Sequence, residues 1–241
     1  MKKIFFAMFL LLAFSVFLSA DIYIKTNVHT DAFEMMGQKQ PAKDESTEQW
    51  VGNNQMAMVS KDKVMITDMG KNVMYIINTK DKSYVQTALP LDMSKLVPKE
   101  AAGMMGMMKM TVKVTPNGQT QKVGKWNCGG YDVDMSMMMM QMKMKVWATT
   151  EVPFDWKAFS KMYSNMAKMQ FMDDSSIAEF TKINGFQISS EMTMNMMNTN
   201  MKVTTQVQDI VKKDAPAGIY TVPAGFSKKD TLSLQDLRGN Q

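Results

Sequence analysis

Histidine and cysteine are almost missing from this 241-residue sequence, with His29 and Cys128 the only examples. One imidazole rules out a His-rich metal site, and a Ser-His-Asp triad would have to use a histidine with no recognisable partner nearby. A single thiol cannot close an intramolecular disulfide. With only Lys125 close enough in sequence to steady a thiolate, Cys128 reads as a small buried hydrophobe. Charge of one sign is also scarce. Lys and Arg number 28 against 23 Asp and Glu, scattered as KDK and KK turns with no basic stripe, so nucleic acid is not an expected partner. Gly103-Met104-Met105-Gly106 lacks the lysine and the strand-to-helix setting of a phosphate loop. Leucine is the last shortage, with six after Ala20.

Residues 1–20 read as a signal peptide: Lys2 and Lys3 precede an apolar run from Ile4 to Phe17, and Leu18-Ser19-Ala20 ends in small residues. The expected product is periplasmic or secreted and starts at Asp21. It has no transmembrane segment, since no later apolar run approaches the roughly 18 residues that span a bilayer. No cysteine follows the cleavage point to carry a lipid anchor. One domain is expected over 21–227, with a polar tail at 228–241.

Methionine takes the place leucine leaves, with 31 in the chain and 29 of them after Ala20. Three explanations compete. Methionine can serve as a general core filler, its flexible thioether fitting irregular space. It can line a cavity for a greasy ligand around which it repacks. Or its sulfurs can hold a soft cation, Cu(I) or Ag(I), because Met-x-Met on a strand puts two sulfurs on one face about 7 Å apart.

The stretch Tyr131 to Ala148 has the clearest pattern. Tyr131, Val133, Met135, Met137 and Met139 alternate with Asp132, Asp134 and Ser136; then the phase reverses, and Met142, Met144 and Val146 oppose Gln141, Lys143 and Lys145. Read as one long strand, it needs a β-bulge near Met138 to Met140. Upstream, alternating runs are separated by turn chemistry at Gly52-Asn53-Asn54, Lys61-Asp62-Lys63, Gly70-Lys71-Asn72 and Lys80-Asp81-Lys82, which predicts an antiparallel meander. Gln38 to Ser46 reads as a loop. Short helices near Met93 to Leu96 and Glu100 precede an apolar flap at Gly103 to Met108. Pro116-Asn117-Gly118 predicts a hairpin. Phe154, Phe159, Met162, Tyr163, Met166 and Met169 recur at helical spacing, so Asp155 to Phe171 is expected to be an amphipathic helix. Asp173 and Asp174 start a second helix ending at Asn184-Gly185. Two more strands follow, turning at Asn198 to Asn200, and Ala217 to Val222 reads as a last short strand.

Three stretches, NVMYIINTKDKSYVQTALP from Asn72, GKWNCGGYDVDM from Gly124 and PAGIYTVPAGFSKK from Pro216, resemble the exported bacterial family of domain of unknown function 4412. The resemblance brings no catalytic residues. It implies a fold similar to the LolA/LolB lipoprotein carriers, a curved antiparallel sheet wrapped over helices around an apolar cavity.

The expected fold is therefore α+β and mainly β: a strongly curved antiparallel sheet, a half-barrel of about ten strands, with two or three helices over its concave face. The expected function is non-enzymatic binding of a hydrophobic small molecule or lipid between sheet and helices, with no cofactor. The expected lining is Met135, Met137, Met139, Met142, Met144, Trp147, Met192, Met194 and Met196, joined by Phe159 and Met166 from the covering helix. The alternatives are a soft-metal binding protein and a structural or interaction module of the cell envelope.

Overall fold

The computed structural model describes residues 21–35, 37–91, 110–137, 140–169, 172–196, 199–233 and 236, with backbone only at 35, 165–169 and 196. The expected signal peptide, the short helices after Met93 and the flap at Gly103 to Met108 lie outside these residues.

The chain is mainly β, and its centre is one twelve-stranded sheet that does not close into a barrel. Its strands are β1 (Ile22–Thr30), β4 (Lys43–Val51), β5 (Gln55–Val59), β6 (Lys63–Asp68), β7 (Val73–Asn78), β8 (Ser83–Ala88), β9 (Met110–Val123), β10 (Trp126–Met137), β11 (Met140–Thr149), β12 (Phe186–Met196), β13 (Thr199–Lys212) and β14 (Ser227–Lys229). In space they run β14-β8-β7-β6-β5-β4-β1-β13-β12-β11-β10-β9, and a separate hairpin joins β2 (Phe33–Met35) to β3 (Gln38–Gln40). Every pairing is antiparallel except that of β14 with β8. The sheet is thus larger than the expected ten strands and mixed in direction.

The meander forms where its turns predict. β4 to β8 are joined at Gly52-Asn53-Asn54, Lys61-Asp62, Gly70-Lys71-Asn72 and Lys80-Asp81-Lys82, and Asn72 and Lys82 take the positive φ those turns require. Polar Lys43 to Ser46 is strand and not loop, because β4 pairs with the whole of β1, from Ile22↔Val51 to Thr30↔Lys43.

Tyr131 to Ala148 is two strands, not one bulged strand. β10 and β11 form an antiparallel hairpin whose last described pair is Met137 opposite Met140, so the chain reverses direction between them. The change of phase marks that reversal: directly opposed residues share a face, so Val133, Met135 and Met137 lie on the same face as Met144, Met142 and Met140. The Asn117-Gly118 pair, by contrast, is not a hairpin. β9 runs through it as a continuous edge strand, and the register against β10 slips between Gly129 and Tyr131. An edge position tolerates Pro116, which has no ladder donor. Gly118 supplies a φ of +69°, and the Asn117 Oδ1 accepts from the Gln119 amide at 3.0 Å.

Both sheet edges are protected. β14 is three residues long and carries Lys228 and Lys229, so the predicted polar tail begins inside the sheet. On the β9 edge sits α2 (Asp174–Phe180). Its Glu179 carboxylate accepts from the Val114 amide at 2.9 Å, and its Ser176 hydroxyl donates to the Met110 carbonyl at 3.1 Å. Asp173 caps this helix through the Ser176 amide at 2.7 Å. α1 (Trp156–Met169) is capped by Asp155, which accepts from the Lys157 and Ala158 amides.

The core has distinct parts. Under α1, Phe159 joins Ile24, Val51, Met56, Val123, Trp126, Cys128, Trp147, Ile188, Val207 and Ile210, which come from eight consecutive strands from β5 to β9. A second cluster holds Tyr23, Trp50, Ala57, Ile66 and Ile77 beneath Ala215, Ile219, Tyr220, Val222 and Phe226. That last segment is a series of turns and not the predicted strand: Gly218 has a φ of +83°, and the Ile219 and Thr221 amides return to Pro216 and Gly218. A third cluster, on β9 to β11, gathers Val112, Val114, Val133, Val146 and Ala148 against Phe180 and Ile183.

Candidate functional site

Cross-strand register gathers the methionines into rows. Met135 lies opposite Met142, Met142 opposite Met194, and Met194 opposite Met201, one unbroken row across β10, β11, β12 and β13. A parallel row holds Met144 opposite Met192, and a third pairs Met110 with Met137 and Met137 with Met140. Met142 is buried at 9 % exposure, while the others are partly exposed. Core filling accounts for part of them, since Met110, Met135 and Met144 pack against the third cluster, while Met192, Met194 and Met201 belong to none of the core clusters. Among the described residues only Met56, Met74 and Met142 are buried methionines, and the core is mostly Ile and Val.

The predicted lining therefore divides. Met135, Met137, Met142, Met144, Met192 and Met194 share one sheet face. The backbones of Met166 and Met196 belong to α1 and β12, and Met139 lies outside the described residues. Trp147 and Phe159 are elsewhere, packed in the cluster under α1. A strand side chain one residue out of phase faces the other way, which separates Trp147 from Met144 and Val146. The single cavity expected from that list is thus two places.

The place under α1 holds a cleft of about 500 Å³ between the helix and the β1 and β4 ends. Ile22, Val51, Met69, Phe154, Phe159 and Met162 give it its apolar walls, and Asn53, Asn54, Asp21, Asp155, Lys161 and Lys212 also line it. Sequence reasoning found Phe159 but missed the rest, because Ile22, Val51 and Met69 sit at strand ends where alternation says little about which gap they border. Aromatic rings fix the helix. Phe159 stacks on Tyr163 with centroids 4.6 Å apart and meets Phe186 edge-on at 5.2 Å. Behind them Gln49 donates to the Tyr163 hydroxyl, and that hydroxyl reaches the Met56 sulfur at 3.6 Å. Burial pushes the Tyr163 phenol up to about 12, so it stays neutral at every ordinary pH.

The face of β9 to β12 opposite the methionine rows, the one that carries Trp147, forms an open groove of about 1010 Å³. Its floor is a charge lattice, with Asp132 opposite Lys145 and Lys145 opposite Glu191, and Asp134 opposite Lys143 and Lys143 opposite Thr193. Trp147 closes one end, fitting over Gly130, where an added Cβ would lie 2.9 Å from its ring. The acidic pair Asp132/Asp134 therefore faces lysines across the strands on an exposed surface.

The two rare residues have structural partners. His29 lies between Asp44, with Nδ1 at 2.7 Å, and Asp31, with Nε2 at 3.1 Å; chiefly the Asp44 bond raises its pKa above the usual imidazole range. Neither partner is a nucleophile. Burial pushes the Cys128 thiol up, and the ammonium of Lys125 lies 3.2 Å from Asp209. Among the described residues no group of three or more His, Cys, Asp and Glu side chains could hold a metal ion, and no helix is long and apolar enough to cross a membrane.

The model of the domain of unknown function DUF4412 matches residues 28–226. The chain belongs to this family. The match reaches from β1 to Phe226, so it takes in the methionine rows, the charged groove and all of the cleft but Asp21 and Ile22 of this DUF4412 protein. No curated protein matches the chain. Among solved structures, PNGF-II is similar over 86 % of this chain and 31 % of its own, at 9 % identity and a TM-score of 0.35. The ywiB protein from Bacillus subtilis is similar over 78 % and 94 %, at 9 % identity and a TM-score of 0.19. Neither likeness is close enough to carry an argument about fold or activity.

Proposed function

We propose that this protein is an exported, non-enzymatic binding protein that holds a hydrophobic ligand, a lipid or an acyl chain, between its sheet and α1. One observation carries the reading: a cleft of about 500 Å³ beside α1 combines apolar walls with side chains of both charges. That volume lies within the range of small-molecule sites, roughly 300 to 1,000 Å³. Apolar walls take the chain of an amphipathic ligand, and Lys161 and Lys212 supply cations for its polar head. Cleavage after Ala20 would place the new amino terminus, Asp21, in the same lining.

The half-barrel curvature of the LolA/LolB carriers belongs to the same proposal. Eight strands laid flat span roughly 34 Å at about 4.8 Å per step, whereas a helix with its side chains is only about 10–12 Å across. One cluster drawn from eight consecutive strands around Phe159 favours a sheet bent about α1.

The test is titration with a dansyl-labelled fatty acid. The expected result is saturable binding with a blue-shifted emission, weakened at least tenfold by Ala158→Trp, which fills the cleft from an exposed position on α1. Wild-type protein that leaves the probe in water, as a purely structural envelope module would, overturns the reading.

A further inference from the structure

We infer that the central methionine row is a binding site for a soft monovalent cation, Cu(I) or Ag(I), held by thioethers from adjacent strands. Met135, Met142 and Met194 are directly opposed on β10, β11 and β12, Met201 continues the row on β13, and Met144 and Met192 lie one step along the same face. The strand spacing suits the metal. A metal–sulfur bond of about 2.3 Å puts two sulfurs of one cation roughly 4 to 4.6 Å apart, and neighbouring strands stand about 4.7–4.9 Å apart. Opposed thioethers therefore meet one cation with little lean of their side chains, and a third sulfur from the next strand, or from the Met144–Met192 pair, completes a trigonal set.

The surroundings fit the same chemistry. Met142 is 9 % exposed while Met135, Met194 and Met201 are partly open, so a cation can enter from solvent and still lose most of its water. The carboxylates and ammonium groups of these strands, Asp134, Lys143 and Lys145 among them, alternate onto the opposite face. On this face thioethers stand among uncharged valines, Val112 and Val133 next to Met135 and Met144, and a neutral surface whose only donors are sulfurs favours Cu(I) and Ag(I) over Zn(II), Ca(II) and Mg(II), which prefer thiolate, imidazole or oxygen ligands. A merely apolar patch would work equally well with leucine. Here every position of a four-strand row is methionine in a chain with few leucines.

The experiment is an anaerobic Cu(I) titration against a competing chelator, with Ag(I) uptake followed by native mass spectrometry. Wild-type protein is expected to bind with an affinity at least a hundredfold above that of free methionine, with an all-sulfur Cu K-edge absorption signature and no uptake of Zn(II). The triple variant Met135→Leu, Met142→Leu, Met194→Leu keeps side-chain volume and removes the sulfurs; it should lose at least tenfold in affinity with its circular dichroism spectrum unchanged. Should the triple variant not fold, Met194→Leu alone, at a partly exposed position, is expected to give a severalfold loss. Affinity no better than free methionine, nitrogen or oxygen in the absorption spectrum, or full binding by the leucine variants overturns the site. The fatty-acid cleft shares none of these residues, so either proposal can fail without the other.

Discussion

The two halves of the sheet are built from different materials. From β4 to β8 the strands are clothed on both sides: Ile66, Ile77, Trp50 and Tyr23 pack beneath the segment from Ala215 to Phe226, and Met74 and Ile76 pack against Leu91 and Leu232 on another side. From β9 to β13 one face carries a charge lattice and the other carries partly exposed methionine rows, with α2 covering only the β9 to β11 part through Phe180 and Ile183. The first half holds itself together with β-branched and aromatic residues. The second keeps two unlike surfaces available, and α1 joins the halves through Phe159.

The largest effect should come from cutting that joint. Phe159→Ala removes three ring contacts at 4.6 to 5.2 Å and is expected to cost about 3–5 kcal/mol in chemical denaturation; a cost near zero would mean that the halves stand independently. Next comes a direct contrast. Ile66→Ala, at a fully buried site, should cost about 2–5 kcal/mol, whereas Met194→Ala, at a partly exposed one, should cost less than about 1 kcal/mol. Equal losses would make the methionine rows ordinary core. Tyr163→Phe strips the hydroxyl that receives the Gln49 amide and is expected to cost about 0.5–1.5 kcal/mol, the net worth of one hydrogen bond, because that amide keeps the Met56 sulfur at 2.7 Å.

The smallest effect is acid sensitivity confined to the first half. The Gln55 amide, at 2.9 Å, together with the Lys71 backbone amide and ammonium, holds the Asp68 carboxyl below the usual range. Its contribution is complete above the ordinary aspartate pKa and is lost as pH falls through the lowered value. Asp68→Asn should flatten that acid limb of the stability curve, read by thermal melts across acidic buffers. An unchanged limb would exclude Asp68 as its source.

The meander was legible in the sequence because each turn carried its own chemistry, from Gly52-Asn53-Asn54 to Lys80-Asp81-Lys82. Both described helices were legible, α1 from its apolar spacing and α2 from its cap at Asp173, although α2 stops at Phe180, short of the expected end at Asn184-Gly185. The β10–β11 hairpin was hidden because the sequence between Met137 and Met140 holds no Gly, Pro, Asn or Asp to signal a turn, so only the change of phase recorded it. Asn117-Gly118 misled in the opposite sense. Turn chemistry there serves an edge bulge beside Gly130, where Trp147 needs the room. The candidate site was half legible: alternation identified the methionine face, but the cleft is bordered by strand ends and by α1, and contacts between distant segments leave no local pattern. The run from Ala217 to Val222 alternates like a strand, yet Gly218 turns it into a cover over Tyr23 and Trp50.

The central claim is that the cleft beside α1, and not the methionine face, receives a hydrophobic chain. Native mass spectrometry of the full chain mixed with an equimolar unlabelled fatty acid tests it most directly. The account predicts one bound chain per protein in the wild type and in the Met135→Leu, Met142→Leu, Met194→Leu variant, and none in Ala158→Trp. A fatty-acid adduct that survives Ala158→Trp, or that disappears only with the methionines, contradicts it.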